Sequence, residues 1–299
     1  MTVDRRLLVP VVLAVVLAGC ATGSQPRSAA TARPSNDSSW APPPADLTAT
    51  VVQYRKDAPQ RVVQIKFSNG GSEALEITLL RATLPGYETM PGRIRTNPLK
   101  AGRRVDLPTR LGAPTCDRPV SGTPTATLRV VSDRGQTTQT TVPIADDDGL
   151  LERLRRYDCD VERVEAAVDL ELSDTWQKVG AGRDTAVRGR LTASLRPGTR
   201  SMRITDAIGG ELLGLTVLTP EGDPALPVEL EGELARADLD LDVVGSRCDG
   251  HAVAESQRLM RFSFWVSVDG EPPVVIRRSP DVAGYRTLVA ALLERCGLQ

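Results

Sequence analysis

The sequence predicts a mainly β protein built as two tandem sandwich repeats, each closed by a short C-terminal α-helix. Three observations carry that expectation. Apolar residues alternate with polar ones along several short runs in both halves of the 299-residue chain. A motif recurs: Arg104-Val105-Asp106-Leu107 leads to Cys116-Asp117, and Arg236-Ala237-Asp238-Leu239 leads to Cys248-Asp249 at the same spacing. A second cysteine then ends each copy, Cys159 after Leu150-Leu151-Glu152-Arg153-Leu154 and Cys296 after Leu288 to Leu293.

In the first copy, expected over 46–160, Leu47, Ala49 and Val51 alternate with Thr48 and Thr50. Val63, Ile65 and Phe67 do so with Gln64 and Lys66, as do Leu75, Ile77 and Leu79 with Glu76 and Thr78. A period of two puts one face on a core and the other in water. Asn69-Gly70-Gly71 suits a hairpin or a short corner. Pro85-Gly86 and Pro91-Gly92 break the chain into loops. Val105 and Leu107 open a further strand that ends by Gly112 and Pro114. Thr127–Val131 and Thr138–Ile144 flank Ser132-Asp133-Arg134-Gly135, a second hairpin. About seven short strands with turns every 8–12 residues suggest an immunoglobulin-like sandwich. Asp146-Asp147-Asp148 then caps a helix carrying Leu150 and Leu154 on one face, with Arg153, Arg155 and Arg156 toward its end.

The second copy, expected over 161–299, opens on Val164, Ala166, Val168, Leu170 and Leu172, which read as the clearest strand in the chain. Leu191, Ala193 and Leu195 form another, stopped by Pro197-Gly198. Asp238 to Val243 forms a third, leading to Cys248. Phe262, Phe264, Val266 and Val268 alternate until Asp269-Gly270 turns the chain back through Val274 to Ile276. Tyr285 to Glu294 reads as the closing helix, capped by Ser279 or Asp281.

With Cys20 set aside for the reason given below, four cysteines allow three pairings. The repeat selects Cys116–Cys159 and Cys248–Cys296, because homologous halves should close alike. A zinc site is a poor reading: Cys-x-x-Cys is absent from the sequence and His251 is its one histidine.

The N-terminus is a processing signal. Arg5 and Arg6 precede an apolar run from Leu7 to Leu17, too short to span a bilayer of about 20 apolar residues' thickness. It ends in Leu17-Ala18-Gly19-Cys20, which resembles the lipobox of bacterial lipoproteins. That resemblance implies cleavage after residue 19, a diacylglycerol on Cys20 and a place on the outer face of the cell membrane, where cysteines oxidise. Residues 20–45 then read as the lipidated cysteine and a disordered tether, with 19 of positions 21–45 being Ala, Ser, Pro, Thr or Gly. Trp40 within it is expected to dock on the first repeat. The whole chain is similar in organisation to surface lipoproteins of GC-rich Gram-positive (actinobacterial) bacteria, as its 33 Arg against 4 Lys suggest; this likeness carries no functional residues.

Function classes narrow by composition. With 37 basic and 38 acidic side chains, no field points to nucleic acid. Asp238, Asp240 and Asp242 resemble the start of a calcium loop, but the leucines between them argue for a strand with an acidic outer face. Capping accounts for Asp146 to Asp148, so no metal is assigned. His251 with Ser256 and Asp249 would need a nucleophile elbow, and the chain holds no Gly-x-Ser-x-Gly. Phosphate-cradling and dinucleotide glycine patterns are missing too. Four Met and one His do not make a copper-delivery cluster, and Trp265 is the single candidate for an aromatic sugar platform. The expectation is therefore a non-enzymatic, cofactor-free, lipid-anchored module that binds another protein. The alternative is a small-ligand or wall-polymer binder using the cleft between repeats. Least favoured is a hydrolase with an unfamiliar site.

Overall fold

A computed structural model describes residues 43–44, 46–92, 95–252 and 260–298. Leu17, Ala18, Gly19 and Cys20, the tether as far as Pro42, Trp40 and Ser256 lie outside the described residues. The chain is mainly β, with strands β1 (Leu47–Val52), β2 (Val62–Asn69), β3 (Leu75–Thr83), β4 (Met90–Pro91), β5 (Thr96–Leu99), β6 (Arg104–Arg110), β7 (Thr125–Ser132) and β8 (Thr137–Ala145) before helix α1 (Leu150–Ala167). After it come β9 (Val168–Leu172), β10 (Gln177–Val179), β11 (Ala186–Leu195), β12 (Ser201–Ile208), β13 (Leu213–Leu218), β14 (Val228–Glu231), β15 (Arg236–Gly245), β16 (Phe262–Val268), β17 (Val274–Arg278) and the closing helix α2 (Val282–Cys296).

Seven strands of each half share one pairing diagram, apart from β4 on β3 in the first and β10 on β11 in the second. In the first, β1 pairs β2, which pairs β6, while β3 pairs both β5 and β7, and β7 pairs β8. In the second, β9 pairs β11, which pairs β15, while β12 pairs both β14 and β16, and β16 pairs β17. All these pairings are antiparallel. Even an irregularity recurs, since β3 slips by one residue at Leu79/Arg81 against β7 and β12 slips at Ile204/Asp206 against β16. Such bulges re-aim a strand and are specific features of a sheet. The halves differ at their joins. In the first, a short parallel pairing of β8 with β1 links all eight strands. In the second, five- and four-stranded sheets stay separate, and β13 covers the open edge of β15.

Alternation places the cores as expected. Val63, Ile65, Phe67, Ile77 and Leu128 are buried in one cluster, and Leu191, Leu241, Phe262, Phe264 and Val266 in another. Asn69-Gly70-Gly71 turns a corner between strands that do not pair with each other, so it is not a hairpin; its Asn69 side chain donates to Glu73 O and Leu99 O to hold the bend. At the other turn, Asp269 and Gly270 both take positive φ (52° and 83°), the geometry that Asp-Gly suits in a two-strand reversal.

The largest departure from expectation is α1. Val164 and Ala166 are helical, not strand, and the expected boundary between 160 and 161 falls inside this helix. The reason is that Leu150, Leu154, Val161 and Val164 also recur at spacings a helix stripe uses, and ion pairs support the turn: Glu152 with Arg155 (3.1 Å) and Arg156 (3.8 Å), Asp160 with Arg163 (3.6 Å). Only from Val168 does alternation win. Asp146 anchors the helix start, its carboxylate accepting from Leu150 N (2.7 Å) and Leu151 N (3.0 Å). The result is a shared element: Leu151 is buried in the first core and Val164 in the second.

Both disulfides form as the repeat implied, Cys116–Cys159 and Cys248–Cys296, each tying a helix to the loop beyond the recurring Arg-x-Asp-Leu strand. In α2, Asp281 accepts from Gly284 N, and left-handed Gly297 lets Leu298 N reach Leu293 O, a Schellman end. Glu294 near that end gathers Lys178 Nζ (2.6 Å), Gly182 N (3.1 Å) and Thr185 Oγ1 (3.0 Å), which together hold its carboxyl below its ordinary 4.5, Lys178 most of all. A lowered native pKa stabilises the fold above the unfolded value and loses that contribution as pH falls below about 4.5. Denaturant melts of Glu294→Gln should therefore show a stability deficit at pH 7 that closes toward pH 3.

Candidate functional site

The structure separates the residues singled out by pattern. Asp238, Asp240 and Asp242 lie on the outer face of β15 in direct register with Thr192, Arg190 and Arg188 of β11. Asp240 meets Arg190 and Asp242 meets Arg188, both at 3.7 Å, and Asp238 accepts from Thr192 Oγ1 at 2.7 Å. Each exposed pair is worth at most about 1 kcal/mol, but together they neutralise the stripe, so it is a paired sheet face and not a cation loop. Among the described residues no cluster of three or more His, Cys, Asp and Glu is placed to hold a metal. Asp249 is occupied locally, accepting from Arg247 Nε (2.5 Å) and Ala252 N (2.7 Å), and these bonds, the backbone one foremost, lower its pKa. Trp265 sits half-buried on the outer face of β16, opposite Val275 of β17.

What the fold does assemble is a cleft of about 660 Å³ where α1 passes from one half to the other. Its first wall comes from the segment between β1 and β2, with Arg55, Pro59 and Arg61, and from Leu111 beyond β6. The opposite wall comes from the β12–β13 turn, the start of β16 and the end of β17: Glu211, Leu212, Leu213, Met260, Arg261, Ser263 and Arg277. Helix α1 contributes Leu154, Tyr157, Asp158, Val161 and Glu165. Leu154, Asp158, Val161 and Glu165 follow one another at three or four residues, with Tyr157 adjoining, so one stripe of the helix faces the cleft.

Direct bonds join the walls. Arg261 donates to Pro59 O at 3.0 Å, and Arg55 pairs with Glu211. The Tyr157 hydroxyl donates to Val275 O at 2.9 Å, covering an otherwise open β17 edge, and accepts from Arg277, whose guanidinium lies 5.4 Å from the Tyr157 ring centre. Burial pushes the Tyr157 phenol up, while Arg277 and Arg261 pull it back. Deeper in the first half, Arg61 meets Asp158 at 3.0 Å, and the Tyr87 hydroxyl donates to the same carboxylate at 3.0 Å. Tyr87 is buried, and its phenol is raised far above the ordinary range by burial and by Asp158.

No pattern search in the sequence singled out Tyr157, Arg261 or Arg277. The signal that existed was indirect: alternation along β16 puts Phe262 and Phe264 inward, which turns Arg261 and Ser263 outward. Which other element covers that face depends on the path of α1, whose last residues alternate like a strand.

No known family model matches this chain, and no curated protein matches it. Among solved structures it is similar to a chaperone–tip adhesion subunit complex of the archaic chaperone-usher Csu pili of Acinetobacter baumannii, at 8% identity over 74% of this chain and 92% of that one, TM-score 0.17. An exo-chitosanase of Amycolatopsis orientalis matches at 16% identity over 78% of this chain and 26% of its own, TM-score 0.18. A red sea bream transglutaminase matches at 10% identity over 79% and 31%, TM-score 0.19. At these scores none of the three bears on fold or activity.

Proposed function

We propose that this chain is an exported, lipid-anchored, non-enzymatic binding protein, in which two immunoglobulin-like repeats hold a ligand in the cleft between them. The single observation that carries the reading is the cleft itself, whose walls come from both halves and whose floor is the helix they share. Ligand sites prefer such junctions and such volumes. Support for the repeats comes from the common pairing diagram, the recurring bulge and one disulfide per half. The seven strands whose pairing recurs in both halves divide into groups of three and four, the strand count of a small sandwich. Support for export comes from the Leu17-Ala18-Gly19-Cys20 pattern and from disulfides suited to an oxidising compartment.

A concave seat favours the ligand-binding alternative over the protein-interaction module that the sequence put first. A photo-crosslinking residue at Arg55, an exposed residue of the cleft wall, in the lipidated protein, activated in cells, tests this. A small-molecule or polymer adduct is the expected product. One reproducible protein adduct would restore the protein-partner reading. The anchor has its own test: Cys20→Ala should move the protein from the membrane fraction to the soluble one, and a variant that stays membrane-bound would refute lipidation at Cys20.

A further inference from the structure

Among the described residues the charges in the cleft are not matched. Asp158 is met by Arg61, Glu211 by Arg55, and Glu165 by Arg278 at 2.8 Å. That leaves Arg261 and Arg277, neither of which has a carboxylate within 4 Å among the described residues. Register explains why they act together. Ser263 lies directly opposite Arg277 in the β16–β17 ladder, and Arg261 is two residues before Ser263, so the two arginines project from the same sheet face as diagonal neighbours. Like charges at that spacing repel, and each is oriented by one neutral acceptor, Pro59 O for Arg261 and the Tyr157 hydroxyl for Arg277. A guanidinium carries five donors, so each keeps several for a ligand. Beside them the lining is apolar, with Leu154, Val161, Leu212 and Met260.

We infer that the cleft binds a small amphipathic anion, its carboxylate or phosphate headgroup held between Arg261 and Arg277 and its apolar body against α1 and the β12–β13 turn. The assignment rests on the cleft being a ligand site, and adds the class of ligand. An oxyanion relieves the repulsion between the two arginines through charge-assisted bonds, which are about twice as strong as neutral ones. A neutral ligand of the same shape leaves that repulsion in place.

The test titrates the full chain, made without lipid as Cys20→Ala, with two fluorescent probes of similar shape: anilinonaphthalene sulfonate, an anion, and N-phenylnaphthylamine, which is uncharged. The expected result is saturable binding of both, with the anion at least tenfold tighter. Arg261→Gln/Arg277→Gln should remove that tenfold preference and leave the neutral probe within twofold. Should the double variant fail to fold, Ser263→Trp, which fills the space between the arginines, should abolish binding of both probes. Decanoate or decyl phosphate should displace the anionic probe, and whichever does so names the headgroup. Equal affinity for the two probes, or displacement by neither amphiphile, overturns the anion assignment while leaving the cleft a ligand site. Failure of both probes to bind overturns the ligand site as well.

Discussion

Gly189→Ala should destabilise the second half by about 3 kcal/mol, the upper part of the usual range for overpacking a core. A Cβ at Gly189 in β11 would lie 2.4 Å from Cζ3 of Trp176. The indole has no room to retreat. Gly284 of α2 closes its other edge, where a Cβ would come 2.4 Å from Cδ1, and Phe262 stacks on the ring at 5.6 Å between centroids. Trp176 is thus clamped between a strand, a helix and a core phenylalanine, and one added methyl must move one of the three. For a chain of this size the expected fall in Tm is roughly 6–12 °C. Gly284→Ala should behave alike. Gly250→Ala, with no atom within 4 Å of the added Cβ and no positive φ, is the control and should stay within about 0.5 kcal/mol. Combining Gly189→Ala with Trp176→Leu should cost clearly less than the two single changes added, because the smaller side chain accepts the methyl. Strict additivity in thermal melts would show that the clamp is not the cause.

Removing Cys248–Cys296 as a double alanine variant should cost up to about 4 kcal/mol, the chain-entropy value for a loop of this length. The separation is 48 residues, and the bridge fixes the last residue of α2 beside the end of β15. Other contacts hold the same end. Arg295 Nε donates to Gly245 O at 2.8 Å, and Leu292 and Leu288 are buried in the second core. The helix should therefore stay docked in the variant, with its C-terminal turn exchanging amide hydrogens faster than in the wild type. Cys116–Cys159, with a separation of 43, should cost a similar amount. Its loss, however, falls on α1, which carries Tyr157 and Asp158 into the cleft. Opening this bridge should also weaken binding of the anionic probe, whereas opening the other should leave binding intact. Melts and probe titrations of the two variants side by side decide it.

Most strands were legible because a half-buried strand must alternate: Leu47 to Val51, Val63 to Phe67 and Phe262 to Val268 all fall in β1, β2 and β16. The cysteine pairing was legible because a motif that recurs at one spacing closes in one way. Alternation failed at Val164 and Ala166, where apolar positions satisfied the period of a strand and that of a helix at once. Nothing local separates the two there. Burial of Val164 against the second core and of Leu151 against the first made the helix the lower state.

By itself, then, the sequence determined the β class, the turn at Asp269-Gly270 and both disulfides, and it narrowed the helix caps to Asp146–Asp148 and to Ser279 or Asp281, since each depends on residues close in the chain or on the repeat; the structure chose Asp146 and Asp281. It also showed that Asp238, Asp240 and Asp242 share a strand face. The tertiary structure alone decided that this face meets Arg188 and Arg190, because register between strands about fifty residues apart is set by packing. In the same way it brought Arg61, Tyr157, Arg261 and Arg277 to one cleft. Those residues span more than two hundred positions, and only a helix shared by two cores holds them together.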